Sequence, residues 1–236
     1  MKGEVFGGIS GLQIEVPKRD FPPEYALLSR LGYYFLREKS IEINSSFYKV
    51  PQAKTITRWA TEVSADFRFT FKLWKGITHE KNLFFNPQDV DQFMAAIWLP
   101  RSQQGCLLVQ FPPSLQVSAL SQLQRLLDTL STGTWPVAVE FRHASWYKDE
   151  VFKLLNQHHI AMVLQDIPKS ATPMEITADD LVYLRFHGLS GNYKGSYSES
   201  FLAEYASYIG EWQEEDKSIY AYFNNTAGAA LQNLRY

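Results

Sequence analysis

Phe67-Arg68-Phe69-Thr70-Phe71-Lys72-Leu73-Trp74 is the stretch that decides the fold. Phe67, Phe69, Phe71 and Leu73 form one apolar row, while Arg68, Thr70 and Lys72 occupy the alternate positions. Side chains alternate across a β-strand, so the segment has one apolar face and one polar, charged face. The sequence on either side alternates short β-rich runs with amphipathic helical ones. That order predicts βαβ units and a parallel sheet covered by helices. The apolar row then lies under the helices, and the charged row points into the interior of a barrel.

Seven further segments extend the pattern: Val5–Ile9, Ser40–Asn44, Cys106–Gln110, Pro136–Arg142, Ile160–Gln165, Leu181–His187 and Ser218–Asn224. With Phe67–Trp74 they make eight, the number that closes a (β/α)8 barrel of the TIM type. Helices are expected over Pro23–Leu31, with Gly32 as its stop, and over Gln88–Leu99, with Val90, Phe93, Met94, Ile97 and Trp98 at helical spacing. Leu120, Leu123, Leu126, Leu127 and Leu130 mark another. Ser198 reads as the cap of a helix burying Leu202, Tyr205, Ile209 and Trp212. Ile167–Asp180 carries two prolines and no apolar period, so the crossover between the sixth and seventh strands is expected to be irregular.

Composition agrees. The chain has 236 residues, 45% of them apolar and 20% charged, and it shows no compositional break, so residues 1–236 read as one domain. A formal charge of −2 gives no global attraction to nucleic acid or to an anionic membrane, although a local basic pocket stays open. Cys106 is the only cysteine, which excludes an intrachain disulfide and a cysteine-based zinc site. With no apolar signal region at the N-terminus and no long apolar run, a cytoplasmic location without membrane attachment is expected. Oligomeric state is not legible.

The same alternation nominates a site. Glu42, Asn44, Lys72, Gln110, Glu140, Arg142, Arg185, His187 and Asn224 all fall on inward parity near the C-terminal ends of their strands, where barrel enzymes place their chemistry. Lys72, Arg142 and Arg185 outnumber Glu42 and Glu140, which suits an anionic ligand: a phosphate-bearing sugar, a nucleotide or a nucleic-acid component. Under that reading Glu140 and His187 form an acid–base pair, and Lys72 is a further reactive candidate through a Schiff base. Glu42, Asn44, Gln110, Arg142, Arg185 and Asn224 bind and orient the substrate. A metal-dependent phosphodiesterase or isomerase is the second reading, drawing on Glu42, Glu140, Asp166, His143 and His187, but no short histidine motif supports it and no metal ligand or cofactor is assigned. The third is a non-catalytic barrel that binds a metabolite or nucleic acid. The plainest is a structural salt-bridge network.

Several runs also resemble one family. Ile41-Glu42-Ile43-Asn44-Ser45-Ser46-Phe47-Tyr48, Phe69-Thr70-Phe71-Lys72 with Ile77-Thr78-His79-Glu80, and Gln110-Phe111-Pro112-Pro113-Ser114 are three of them. Val139-Glu140-Phe141-Arg142-His143 with Ser145-Trp146, Tyr183-Leu184-Arg185-Phe186-His187-Gly188, Tyr222-Phe223-Asn224-Asn225 and Ala230-Leu231-Gln232-Asn233 complete the set. Together, in this order, they resemble the DUF72 (YecE-like) family. The resemblance implies a TIM-barrel-like fold and supplies no reaction, because the family is described as uncharacterised. This chain reads Gly8-Ile9-Ser10-Gly11-Leu12 where that family usually opens Gly-Thr-Ser-Gly-Trp, so an aromatic platform at the first strand's mouth is not carried over.

Overall fold

The computed structural model describes residues 2–235. Its strands are β1 (Val5–Ser10), β2 (Ser40–Ile43), β3 (Arg68–Lys72), β4 (Gln104–Gln110), β5 (Val137–Glu140), β6 (Ala161–Met162), β7 (Leu164–Gln165), β8 (Leu181–Phe186) and β9 (Ser218–Phe223). All pair in parallel, in the order β6-β5-β4-β3-β2-β1-β9-β8-β7. The two ends of that order are neighbours in the chain, separated by Val163 alone. β6 pairs with β5, β7 pairs with β8, and the Val163 N–H donates to the Val139 carbonyl at 2.8 Å. The sheet therefore curls into an α/β barrel. β6 and β7 are the halves of one broken stave, which reconciles nine strands with the eight expected.

The irregular crossover is confirmed, and it compensates for the break. Thr177 Oγ1 accepts from the Met162 N–H at 2.8 Å and donates to the Ile160 carbonyl, while Thr172 Oγ1 donates to the Val163 carbonyl at 3.0 Å. These hydroxyls satisfy backbone groups that a short stave leaves without ladder partners.

The helices are α1 (Arg30–Phe35), α2 (Ser45–Tyr48), α3 (Ala53–Glu62), α4 (Lys75–Thr78), α5 (Pro87–Ala96), α6 (Leu120–Leu130), α7 (Asp149–Gln157), α8 (Glu199–Glu214) and α9 (Ala230–Leu234). Two expectations need correction. Pro23 opens only a short 3-10 turn, and the helix expected over Pro23–Leu31 instead starts at Arg30 with Gly32 inside it. Ser29 Oγ accepts from the Gly32 N–H, a cap that moves the helix start downstream. The Gln88–Leu99 helix runs from Pro87 to Ala96, capped by Asn86, so Trp98 falls beyond its end and is 70% exposed. α6 and the Ser198 cap of α8 stand as expected.

Buried side chains separate into two clusters. The larger lies between staves and helices and includes Phe67, Phe69, Phe71 and Leu73, the apolar row of the third stave. The smaller fills the lumen with Phe6, Cys106, Leu108, Ala138, Tyr183, Tyr220 and Tyr222. The lumen grows more polar toward the C-terminal mouth. Phe6 and Tyr220 stack at its floor, where Arg68 lies over the Phe6 ring. Higher up, the Tyr222 hydroxyl bonds Ser40 and Thr70. Gly8 makes room for that ring: a Cβ there would lie 3.0 Å from it and 2.4 Å from the Ser40 carbonyl. Among the described residues no helix is long and apolar enough to cross a membrane.

Candidate functional site

At the mouth the alternate residues of β2, β5 and β8 meet. Arg185 is its centre, buried beneath the rim. Its Nε and Nη2 donate to the two oxygens of Glu42 at 2.9 and 2.6 Å, and its Nη1 donates to Glu140 Oε2 at 2.6 Å. One guanidinium thus bridges two fully buried carboxylates. Tyr183 OH donates to Glu42 Oε2 at 2.7 Å, and Ser10 Oγ donates to Glu42 Oε1. All of Glu42's acceptor directions are engaged, as an ion removed from water requires.

Arg142 closes the second carboxylate from above. Its Nε donates to Glu140 Oε1, and its Nη2 lies 2.8 Å from His187 Nε2. Burial opposes the charge on Glu140, but Arg142 and Arg185 outweigh burial and hold its carboxyl well below the usual range. His187 Nε2 also faces Arg185 Nη1 at 3.3 Å. A nitrogen flanked by two guanidiniums can only accept, so the ring is neutral with its proton on Nδ1. Burial, Arg185 and Arg142 push its pKa down to about 3. His187 Nδ1 itself is buried without a partner. The His187 N–H donates to Asp166 Oδ1 at 2.8 Å, and Asp166 takes the Tyr197 hydroxyl on its other oxygen. The same hydroxyl accepts from the Gly188 N–H, fastening the start of the following loop. Gly188 has φ of +90°, and a Cβ there would lie 2.3 Å from the Lys194 carbonyl.

Lys72 differs from the other cations. Its ammonium makes no hydrogen bond or ion pair among the described residues, and Nζ sits 4.1 Å from the centre of the Phe47 ring. Burial and the neighbouring Arg185 lower its pKa to about 8, against the pull of Glu140 and Glu42. At pH 7 about a tenth of a lysine with that pKa is the free amine, against well under a thousandth ordinarily. Reductive methylation at neutral pH is therefore expected to label Lys72 ahead of the exposed lysines, read by peptide mass spectrometry. Uniform labelling would contradict the lowered pKa.

Of the nine nominated residues, Glu42, Glu140, Arg142, Arg185 and His187 are bonded into one network. Asn44 joins through Ser10 Oγ at 2.6 Å, and Lys72 stands beside it. Gln110 turns to the neighbouring Phe111 carbonyl, and Asn224 closes its strand without a side-chain bond to the network. Trp146 is wholly buried and packs behind the mouth on Phe111 and Phe141. His143 caps its own turn through Ser145. Among the described residues no three His, Cys, Asp or Glu side chains converge closely enough to share a metal ion. Ser10 and Tyr183 are network members outside the nine, although Tyr183 shares the inward parity of Arg185 and His187. Ser10 shares parity with Gly8 and Phe6 and lies one residue beyond the expected end of the first strand.

The family profile described as protein of unknown function DUF72 matches residues 8–236. The chain is 23% identical over 238 residues to the UPF0759 protein YunF of Bacillus subtilis, covering 88% of this chain and 84% of that protein. It is 29% identical over 134 residues to the UPF0759 protein YecE of Escherichia coli, covering 54% of this chain and 49% of that protein. Among solved structures, a DUF72 family protein of Enterococcus faecalis superposes with a TM-score of 0.81 at 20% identity, covering 98% of this chain and 93% of that one. One from Thermotoga maritima gives 0.78 at 26% identity, covering 98% and 96%. With the family profile matched over nearly its whole length, the chain belongs to the DUF72 family.

Proposed function

We propose that the barrel mouth is a binding site for a small anion and that the chain acts on such a substrate, with Lys72 as its proton-exchanging group. The observation that carries this is the unpaired Lys72 above a network whose carboxylates are already neutralised. Glu42 and Glu140 face three cations, Arg142, Arg185 and Lys72, while the Asp166 carboxylate is turned to the His187 backbone and Tyr197. Arg142 spends Nε and Nη2 inside the network and has Nη1 left to fix an anion next to Lys72. A phosphate ester, a nucleotide or a carboxylate fits that pair of cations. A nucleic-acid backbone fits it less well, because the whole chain is acidic.

Roles follow from the bonding. Glu140 and His187, expected as the acid–base pair, are reassigned as positioning residues. The first is held ionised by two arginines and makes a weak base, while the second is neutral at pH 7 with Nε2 occupied. Arg185 and Glu42 form the buried base of the site. Lys72 has a pKa near working pH and a free nitrogen, the properties of a general acid or base.

Isothermal titration with inorganic phosphate and a panel of phosphate monoesters tests the reading. Binding should weaken with salt and fall at least about tenfold in Lys72→Met, the loss of one charge-assisted contact. Binding that survives Lys72→Met unchanged would place the anion elsewhere. The same variant is expected to raise unfolding stability by about 1–2 kcal/mol, because it removes a charge that burial disfavours. Urea denaturation at pH 7 reads this, and a loss of stability would mean that Lys72 is a structural partner of the carboxylates.

A further inference from the structure

The turns that follow β2 and β3 form the rim beside Lys72. Residues 45–49 and 72–81 carry four lysines, Lys49, Lys72, Lys75 and Lys81, against one carboxylate, Glu80. This edge of the mouth is therefore cationic although the chain as a whole is not. Ser46 pins α2 to the end of β3: its buried hydroxyl lies 2.8 Å from the Ile43 carbonyl and 2.7 Å from the Lys72 carbonyl. α4 sits against the Trp74 ring, so close that a Cβ on Gly76 would stand 2.5 Å from it. Both turns are held against the barrel, and the side chains they present are placed in advance of any ligand.

An aromatic edge continues from the lysine outward. The Lys72 ammonium lies 4.1 Å from the centre of the Phe47 ring. Phe47 meets Tyr48 and His79 edge-on, each with its ring centre 5.0 Å away. With Phe47 as the shared neighbour, the two separations laid end to end put the Tyr48 ring no more than about 9 Å from Lys72 Nζ. Lys72 and Phe47 are part-exposed and Tyr48 is 68% exposed, so the cation and the outer ring open onto the same solvent. Lys75 Nζ stands 5.7 Å from the Tyr48 ring centre. Among the described residues the Tyr48 hydroxyl makes no hydrogen bond. An open tyrosine on a fixed turn, flanked by two ammonium groups, is a stacking platform in a cationic setting.

From this arrangement we infer that the anion held at Lys72 carries a nucleobase stacked on Tyr48, which makes the ligand class a nucleoside monophosphate. The inference rests on the anion reading above and narrows it. A phosphate without a ring leaves Tyr48 uncovered, and the Lys75 ammonium favours an electron-rich π face at that place. The ribose supplies the span between the phosphate at Lys72 and the base over α2.

Titration calorimetry with adenosine monophosphate, ribose 5-phosphate and inorganic phosphate tests this. Adenosine monophosphate should bind at least about tenfold tighter than ribose 5-phosphate, the contribution of one stacked base. Tyr48→Ala should abolish that preference and leave ribose 5-phosphate unaffected, while Tyr48→Phe, which keeps the ring, should retain it. Circular dichroism checks that both variants fold, as the exposure of Tyr48 leads one to expect. Lys72→Met should weaken both ligands alike. Equal affinity for the two, or a preference that survives Tyr48→Ala, overturns the stacked base and leaves the anion reading intact. Glucose 6-phosphate that matches adenosine monophosphate, with the same dependence on Tyr48, overturns the base in favour of a sugar ring. Phosphate binding that is absent, or indifferent to Lys72→Met, overturns the anion reading and the nucleotide with it.

Discussion

Arg185→Met should destabilise the protein by about 3–5 kcal/mol, the usual cost of stranding buried charges by removing their partner. The arginine donates to both oxygens of Glu42 and to one of Glu140, and all three side chains are almost wholly inaccessible to water. Methionine fills similar volume, so packing loss stays small and the effect reports the stranded carboxylates. Arg185→Lys should recover little, because an ammonium cannot span two carboxylates with parallel donors. Adding Glu42→Gln and Glu140→Gln to Arg185→Met should restore a large part of the loss. Urea denaturation at pH 7, followed by circular dichroism, gives the values. A loss below about 1 kcal/mol for Arg185→Met would mean that water or rearranged side chains already solvate the carboxylates, and the buried network would not exist as described.

Acid should unfold the protein early, and His187 should be the largest histidine contribution. Its folded pKa, about 3, lies below the value of an unfolded histidine, about 6.5. The unfolded chain therefore takes up its proton first as pH falls. Stability is full above about pH 6.5 and declines toward pH 3 at about 1.4 kcal/mol per pH unit. Around the ring stand Arg185, Arg142 and Lys72, which resist a second positive charge, and Glu140, which favours it but is already paired. Glu140 contributes in the same direction lower down. Its depressed folded pKa gives stability that is present above the ordinary carboxylate value and lost as pH falls below it. The interval from pH 6.5 to 4.5 separates His187 from Glu140, which contributes only below the ordinary carboxylate value. His187→Gln should flatten the stability profile in that interval by about 2–3 kcal/mol relative to the parent chain. Taking the difference cancels His79, whose pKa burial and Lys72 lower to about 4 and which adds to the same loss, and His158, whose pKa is raised beside Asp128 and which works in the opposite direction. Parallel profiles for the two proteins would show that His187 accepts a proton freely in the folded state.

These expectations draw on two kinds of information. The inward parity of Glu42, Lys72, Glu140, Arg142 and Arg185 was legible in the alternation alone, because a helix-covered parallel sheet tolerates charge on only one face of each strand. Sequence position said nothing about how those charges pair. Glu140 and His187 read as an acid–base couple on residue type, yet Arg142 follows β5 and Arg185 lies on β8, and only barrel closure brings both guanidiniums onto one imidazole. Ser10 escaped notice because a hydroxyl at a strand end carries little pattern of its own. Its importance comes from meeting Glu42, Asn44 and Arg185 at once.

By itself, then, the sequence determined the parallel barrel, its broken sixth crossover and the set of strand ends that carry polar groups, since each follows from local periodicity and from where proline forbids a helix. Tertiary structure alone decided which cation is left unpaired, which histidine stays neutral and which aromatic ring stands open beside that cation. Those are properties of distances between segments far apart in the chain. Ionisation responds to everything packed within a few ångströms, which no single stretch of residues encodes.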